Sequence, residues 1–169
     1  IQRVEQCNGF DLERLSGRPA LRSLLSALPS DLRNQLETQL HHVVAIVLES
    51  PDEAKSAFAD GCYRTLPIIA INRDQSLTLA ERLAPGEQVC WAVRQPDSAE
   101  ADMRDALDGL IARRRTETSP ACALMFSCIG RGPYFYGGDD RDLALLCQRL
   151  PGLPVLGTYS TGQITPSRN

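Results

Sequence analysis

The chain has 169 residues, 43% of them hydrophobic and 23% charged, with a formal net charge of −3. That length fits one domain with a sizeable core. Basic residues are scattered apart from Arg113-Arg114-Arg115, which speaks against a nucleic-acid surface, and the longest apolar stretch, residues 43–48, is far short of the roughly twenty residues that span a bilayer.

Residues 2–15 read as two short strands turning at Asn8-Gly9. Pro19 sits where the first turn of a helix tolerates it, and Leu21, Leu24, Leu25 and Leu28 follow at helical spacing. Ser30 is a cap for a second short helix carrying Leu32, Leu36 and Leu40. Residues 42–48 form a β-branched run that predicts a buried strand. The polar segment 51–61 reads as a surface excursion.

Short strands are expected at 68–71 and 77–79, joined by a turn at Asn72-Arg73-Asp74-Gln75. Val89, Trp91 and Val93 alternate with Cys90, Ala92 and Arg94, the pattern of a half-buried strand. Asp97-x-x-Glu100 resembles a capping box, and Met103, Ala106, Leu107, Leu110 and Ile111 make one helical stripe. The triple arginine complements the dipole at that helix's end. The apolar run 121–126 predicts a second buried strand, and residues 140–150 a helix with Leu143, Leu146 and Cys147 inward. Pro151 ends that helix, and residues 153–159 supply a last strand. Strands first, then strand-helix-strand units in the C-terminal half, predict an α+β fold: a mixed β-sheet with helices packed against it.

Six cysteines are present, but Cys90, Cys122 and Cys147 lie in apolar segments, where cysteine behaves as a small hydrophobe. No C-x-x-C pair exists and His41-His42 has no zinc spacing, so reduced thiols, no metal and no cofactor are expected. Lys55 is the one lysine beside seventeen arginines, a bias of base composition that suggests a GC-rich bacterial source. The chain starts at Ile1 with neither an initiator methionine nor a signal segment, so it reads as a piece of something larger, and the reduced thiols point to a cytoplasmic protein.

Residues 126–138, Phe-Ser-Cys-Ile-Gly-Arg-Gly-Pro-Tyr-Phe-Tyr-Gly-Gly, concentrate the chemistry. A strand there delivers polar groups, a cation and close-approach backbone to one spot at its carboxyl end. Gly130-x-Gly132 lacks the third glycine of a dinucleotide fingerprint, that position being Phe135. Gly138 stands where a phosphate loop needs lysine. Asp139, Asp140 and Asp142 suit the start of the next helix and would repel a phosphate. Cys128 as a nucleophile would need a nearby base, and the only histidines are His41 and His42. A thiol lining a pocket is the favoured reading of Cys128. Arg131, set between glycines, can hold a ligand carboxylate bidentately or form an ion pair with Asp139 or Asp140; both readings stand. Tyr134, Phe135 and Tyr136 either wall a pocket or alternate in an ordinary strand. Arg64 is either the rim of a site or a solvated charge.

Several blocks together resemble the C-terminal domain of the FIST family, named for F-box and intracellular signal transduction proteins. They are Gly17-Arg18-Pro19-Ala20, Arg64 leading to Ile69-Ala70-Ile71-Asn72, residues 79–86 (Leu-Ala-Glu-Arg-Leu-Ala-Pro-Gly), Arg94, residues 126–132 (Phe-Ser-Cys-Ile-Gly-Arg-Gly) and residues 157–166 (Gly-Thr-Tyr-Ser-Thr-Gly-Gln-Ile-Thr-Pro). The resemblance covers nearly all of residues 1–169. It implies a sensory domain, preceded by an N-terminal FIST domain and coupled to a signalling output partner, with a small molecule such as an amino acid as ligand. It also implies one more strand after Asn169. Gln163 stands where the family usually has glutamate, and Thr165 where glycine is common.

The expected site therefore lies at the carboxyl end of the 121–128 strand. Arg131 would hold a ligand carboxylate, with backbone of Gly130 and Gly132 close by. Ser127 and Cys128 would line the floor, Tyr159 and Gln163 would come from the last strand, and Arg64 would stand at the rim. A protein-interaction module without a ligand and a thiol enzyme using Cys128 are the alternatives; a non-enzymatic sensor is the leading reading.

Overall fold

In a computed structural model, residues 1–48, 58, 63–113 and 120–161 are described. They divide into two units, Ile1–Arg94 and Gln95–Asn169. Strands carry one and helices on a parallel strand pair carry the other, so the chain is α+β.

In the first unit, β1 (Gln2–Asn8) and β2 (Asp11–Leu15) form the expected hairpin, with Asn8 paired to Asp11. Gly9 takes φ 61, which glycine adopts without a Cβ penalty and a two-residue hairpin turn requires. The short β3 (Arg18–Pro19) leads into α1 (Ala20–Ala27), and Pro19 caps it from outside the first turn. Ala20, Ser23 and Leu24 form the buried face of α1, with Leu21 and Leu25 only partly covered.

The second helix is broken at Gln35 into α2 (Ser30–Asn34) and α3 (Leu36–Gln39). Ser30 lies inside α2 and makes no capping hydrogen bond, because Pro29 occupies the cap position. A 3₁₀ turn, Leu40–His42, then opens β4 (Val43–Leu48), which is buried along nearly its whole length as its apolar run predicts. The surface excursion expected at 51–61 lies outside the described residues, apart from exposed Phe58.

β5 (Tyr63–Ile71) is longer than the expected 68–71 segment. A proline gives no N–H to a ladder and argues against a strand, yet Pro67 sits within β5 opposite Val44. β6 (Leu77–Leu79) and β7 (Gln88–Val93) complete the set. The pairing order β1-β7-β4-β5-β6-β2 closes through the β1–β2 hairpin, so these six antiparallel strands form a barrel-like ring. β2 shares its other edge between β6, at Asp11 and Leu12, and β3, at Arg14 and Leu15. Val4, Leu12, Leu15, Leu24, Leu66 and Leu77 are among the side chains that fill the interior.

In the second unit, α4 (Pro96–Ala112) starts at Pro96, a residue pre-set for a first turn. The capping box expected at Asp97 does not form: Gln95 is the cap residue and no side chain caps the helix. Leu107 alone of the expected stripe is buried, and Leu110 is exposed. At the C-terminal end Arg113 donates from Nε to the Gly109 carbonyl at 3.0 Å, while Arg114 and Arg115 lie outside the described residues.

β8 (Ala123–Cys128) and β9 (Val155–Ser160) pair in parallel, with α5 (Arg141–Arg149) between them in the chain. Parallel and antiparallel pairings therefore occur in separate sheets rather than in one. The 121–126 run was expected to be fully buried, but β8 alternates. Met125 and Ala123 pack on Leu107, Leu145 and Leu146. On the other face Leu124 is 63% and Phe126 65% exposed. Residue type announced burial, but the helices of this unit cover only one side of the strand pair.

The inward face of α5 is likewise shifted. Asp142, Leu145 and Leu146 are buried, whereas Leu143 and Cys147 are exposed. The five cysteines among the described residues, Cys7, Cys90, Cys122, Cys128 and Cys147, are all free thiols, but the three in the second unit are exposed rather than core hydrophobes.

One polar link crosses the core of the first unit. The Trp91 indole N–H donates to Ser23 Oγ at 2.9 Å, and that hydroxyl donates to Gln2 Oε1 at 2.6 Å. Ser23→Ala removes both partners at once. A buried donor left without its acceptor costs about 1–3 kcal/mol, so the variant should unfold at lower urea concentration, with a matching change in the emission of the single tryptophan.

Candidate functional site

The site is built where β8 ends. A 3₁₀ turn, Ile129–Arg131, is closed by the Gly132 N–H donating to the Ile129 carbonyl at 3.1 Å. The chain thereby doubles back at Gly130 and carries Arg131 toward α5. A Cβ on Gly132 would lie 3.3 Å from the Ile129 carbonyl oxygen, a tight fit, and 3.6 Å from the Tyr159 ring, an ordinary contact, so the ring sits directly over this turn.

Arg131 is spoken for. Its Nε donates to Asp142 Oδ2 at 2.5 Å, and its Nη2 donates to Asp142 Oδ1 at 3.1 Å and to the Ala99 carbonyl at 2.5 Å. The Asp142 side chain is 3% exposed, and it also accepts from Tyr136 Oη at 2.7 Å. Of the two roles open to Arg131 the ion pair is realised, with Asp142 rather than Asp139 or Asp140. The guanidinium edge expected to hold a ligand carboxylate is occupied by a carboxylate of the protein itself. Burial, reinforced by the bond to Asp142, pushes the Tyr136 phenol up to about 12.

The neighbouring helix ends are tied similarly. Arg141 reaches Asp97 at 3.0 Å and Glu100 at 3.4 Å, with its guanidinium 5.6 Å from the centre of the Tyr136 ring. Tyr134 is exposed, whereas Phe135 and Tyr136 are buried in a turn, not a strand, with their rings edge to face at 4.9 Å.

Beside this network a cleft of about 290 Å³ opens along the inner face of β8 and β9 and the start of α5. Its walls are Met125, Ser127, Asp140, Leu143, Val155, Leu156, Gly157, Thr158 and Tyr159. Asp140 caps α5: its Oδ1 accepts from the Leu143 N–H at 3.0 Å, and its Oδ2 accepts from the Tyr159 hydroxyl. Burial and that hydrogen bond push the Tyr159 phenol up to about 12. Gly157 lies between Val155 and Tyr159 in β9, and a Cβ there would overlap the Met125 carbonyl oxygen, so a larger residue would require the backbone to shift.

Of the expected site residues, Ser127 and Tyr159 meet in the cleft, with Gly132 beneath Tyr159. Gly130 belongs to the turn. Cys128 is exposed on the side of β8 opposite Ser127, since consecutive strand residues face opposite ways, so the two do not share a floor. Arg64 belongs to the first unit, where it pairs with Glu81 at 2.7 Å and Glu87 at 2.8 Å. Gln163 and Thr165 lie outside the described residues. Asp140, Asp142 and Gly157 were missed. The sequence offers these acids to the helix dipole, and Asp140 also to an ion pair with Arg131, and nothing in the spacing separates a buried partner from a capping residue.

Two outcomes test this geometry. Arg131→Ala leaves Asp142 buried without its cation; breaking such a pair from one side costs about 3–5 kcal/mol. Urea denaturation of the variant beside the parent chain should register that loss. The second concerns the phenols. Their folded-state pKa lies above the unfolded value of about 10, so the stability they contribute is complete below about pH 10 and is lost as pH rises toward about 12. A tyrosinate absorbance titration should show two late-ionising groups, and Tyr136→Phe and Tyr159→Phe should each remove one.

Comparison with known proteins agrees with the sequence blocks. The chain is 28% identical over 167 residues to uncharacterized proteins of Mycobacterium bovis and Mycobacterium tuberculosis, covering 96% of this chain and 42% of each relative. A further uncharacterized protein of Mycobacterium tuberculosis is 25% identical over the same share. The chain thus spans less than half the length of these relatives. No solved structure matches it significantly. The model of the FIST C domain, a family associated with signal transduction, matches residues 20–166, and the chain belongs to that family.

Proposed function

We propose that this chain is the ligand-sensing domain of a cytoplasmic signalling protein and that a small molecule binds in the cleft between β8, β9 and the start of α5. The observation that carries the reading is the cleft itself. It runs along a parallel strand pair, and its polar end, at Ser127 and Tyr159, lies at the carboxyl ends of the strands, the place where α/β arrangements bind ligands. A few polar groups, from Ser127, Asp140 and Tyr159, converge there among Met125, Leu143 and Val155, the composition of a small-molecule site. Family membership supports the signalling context. An N-terminal FIST domain and an output partner belong to the same proposal, and the role is binding, not catalysis. No helix among the described residues is long and apolar enough to cross a membrane.

A second reading, a protein-interaction surface, has one observation in its favour: Leu124 and Phe126 form an exposed apolar patch on the face of β8 away from the cleft. Patches of this kind mark interaction sites.

A thermal-shift screen against amino acids, small amines and small carboxylates separates the two. A ligand of the folded state raises the melting temperature by mass action. At least one compound should do so, and Ser127→Leu, which fills the cleft, should abolish the shift. A screen without any shift, or a shift that survives Ser127→Leu, would overturn the cleft reading.

A further inference from the structure

Resting on the reading of the cleft as a ligand site, we infer that its ligand presents an organic ammonium group to Asp140 and an apolar arm to Met125, Leu143 and Val155. The sequence had suggested the opposite polarity, a carboxylate on Arg131. Both oxygens of Asp142 already cancel the charge of that guanidinium, and its Nη2 also serves the Ala99 carbonyl. An incoming carboxylate would have to displace a buried carboxylate from its pair and then lie beside it.

On the cleft wall the charge balance is different. Asp140 is the one charged side chain among the lining residues, and no salt bridge among the described residues involves it. Each of its oxygens has accepted one donor, from the Leu143 N–H and the Tyr159 hydroxyl. An ionised carboxylate has about four acceptor positions, so one on each oxygen remains. The two donors also fix the plane of the carboxylate, which holds it ready for a third. An ammonium brings three N–H donors and no acceptor. Asp140 can take one of them, and the hydroxyl oxygens of Ser127 and Tyr159, both on the same wall, can take the others.

The nearby charges point the same way. The start of α5 carries a partial positive charge from its dipole. Against it stand Asp139 and Asp140, while Asp142 is offset by Arg131 and Arg141 is offset by Asp97 and Glu100. The balance at the mouth is therefore negative. Leu143, Val155, Leu156 and Met125 give the remaining wall an aliphatic character suited to a branched hydrocarbon arm.

The test uses the whole 169-residue chain and three probes of matched shape: 3-methylbutylamine, 3-methylbutanoate and leucine. Backbone amide resonances of Ser127, Gly157, Thr158 and Tyr159 are followed in two-dimensional spectra during titration. The amine should shift them saturably and 3-methylbutanoate should not. Asp140→Asn keeps a good helix cap and an acceptor for Tyr159, so the variant should fold, yet its affinity for the amine should fall by about tenfold or more, as loss of a charged hydrogen bond does. Binding of 3-methylbutanoate or leucine with the amine silent would overturn the inferred polarity while leaving the cleft a ligand site. Equal amine affinity in Asp140→Asn would overturn Asp140 as the anchor. If none of the three probes moves these resonances, the reading of the cleft itself fails.

Discussion

The second unit is organised around one buried carboxylate. Asp142 receives three hydrogen bonds, two from Arg131 and one from Tyr136, and through them it fixes three stretches of chain. The turn after β8 is anchored by Arg131, the aromatic turn by Tyr136, and α4 by the Ala99 carbonyl on the same guanidinium. An ionised group so nearly removed from water persists only with full compensation. The loop must therefore close in one way or leave a charge stranded. Its register, and with it the position of Gly132 under Tyr159, follows from that requirement.

Glycine supplies the other constraint. At Gly157 the Met125 backbone comes too close for a Cβ, whereas at Gly132, beneath Tyr159, a Cβ would only be tight against the Ile129 carbonyl. Gly157, which strand alternation places on the same face as Val155 and Tyr159, thus adds no side chain to the cleft wall. The same close approach that holds β9 on β8 therefore helps to leave room beside Ser127. Packing and vacancy here have a single cause.

Much of the first unit could be read from residue pattern, because its signals are local. Asn8-Gly9 dictated a turn, the β-branched run at 43–48 dictated a buried strand, and Asn72 to Gln75 dictated a reversal. Ring closure through β1 and β2 could not be read, since pairing between distant strands leaves no mark on spacing. In the second unit, pattern identified β8, α5 and β9 but misjudged their faces. The apolar run in β8 announced burial on both sides, whereas cover exists on one. In α5 the helical period allowed either Leu143 or Asp142 to face inward. A long-range partner, Arg131, decided for the aspartate, and a charged residue at a buried position is the choice that composition alone argues against. Ser127 and Tyr159 could be brought together in sequence because both stand at strand ends, and both lie on the cleft wall. Asp140 could not, because a capping acid and a binding acid look alike in sequence.

Asp140 and Asp142 show how environment divides labour between two identical side chains two positions apart. Each accepts a tyrosine hydroxyl, and in each case burial of the phenol and the bond to the carboxylate keep that tyrosine protonated, pushed up to about 12. They differ in their cations. Asp142 faces inward and is matched by Arg131, so its charge is consumed in holding the fold together. Asp140 faces the cleft and has, among the described residues, hydrogen-bond donors but no cation. Donors without a counter-charge orient a carboxylate without neutralising it. A carboxylate held in that state on the wall of an otherwise aliphatic cleft is an electrostatic vacancy, and it selects for positive charge in whatever fills the cleft. On the ammonium reading, the polarity of the cleft is set less by the arginine that marks it in the sequence than by the aspartate that has no cation among the described residues.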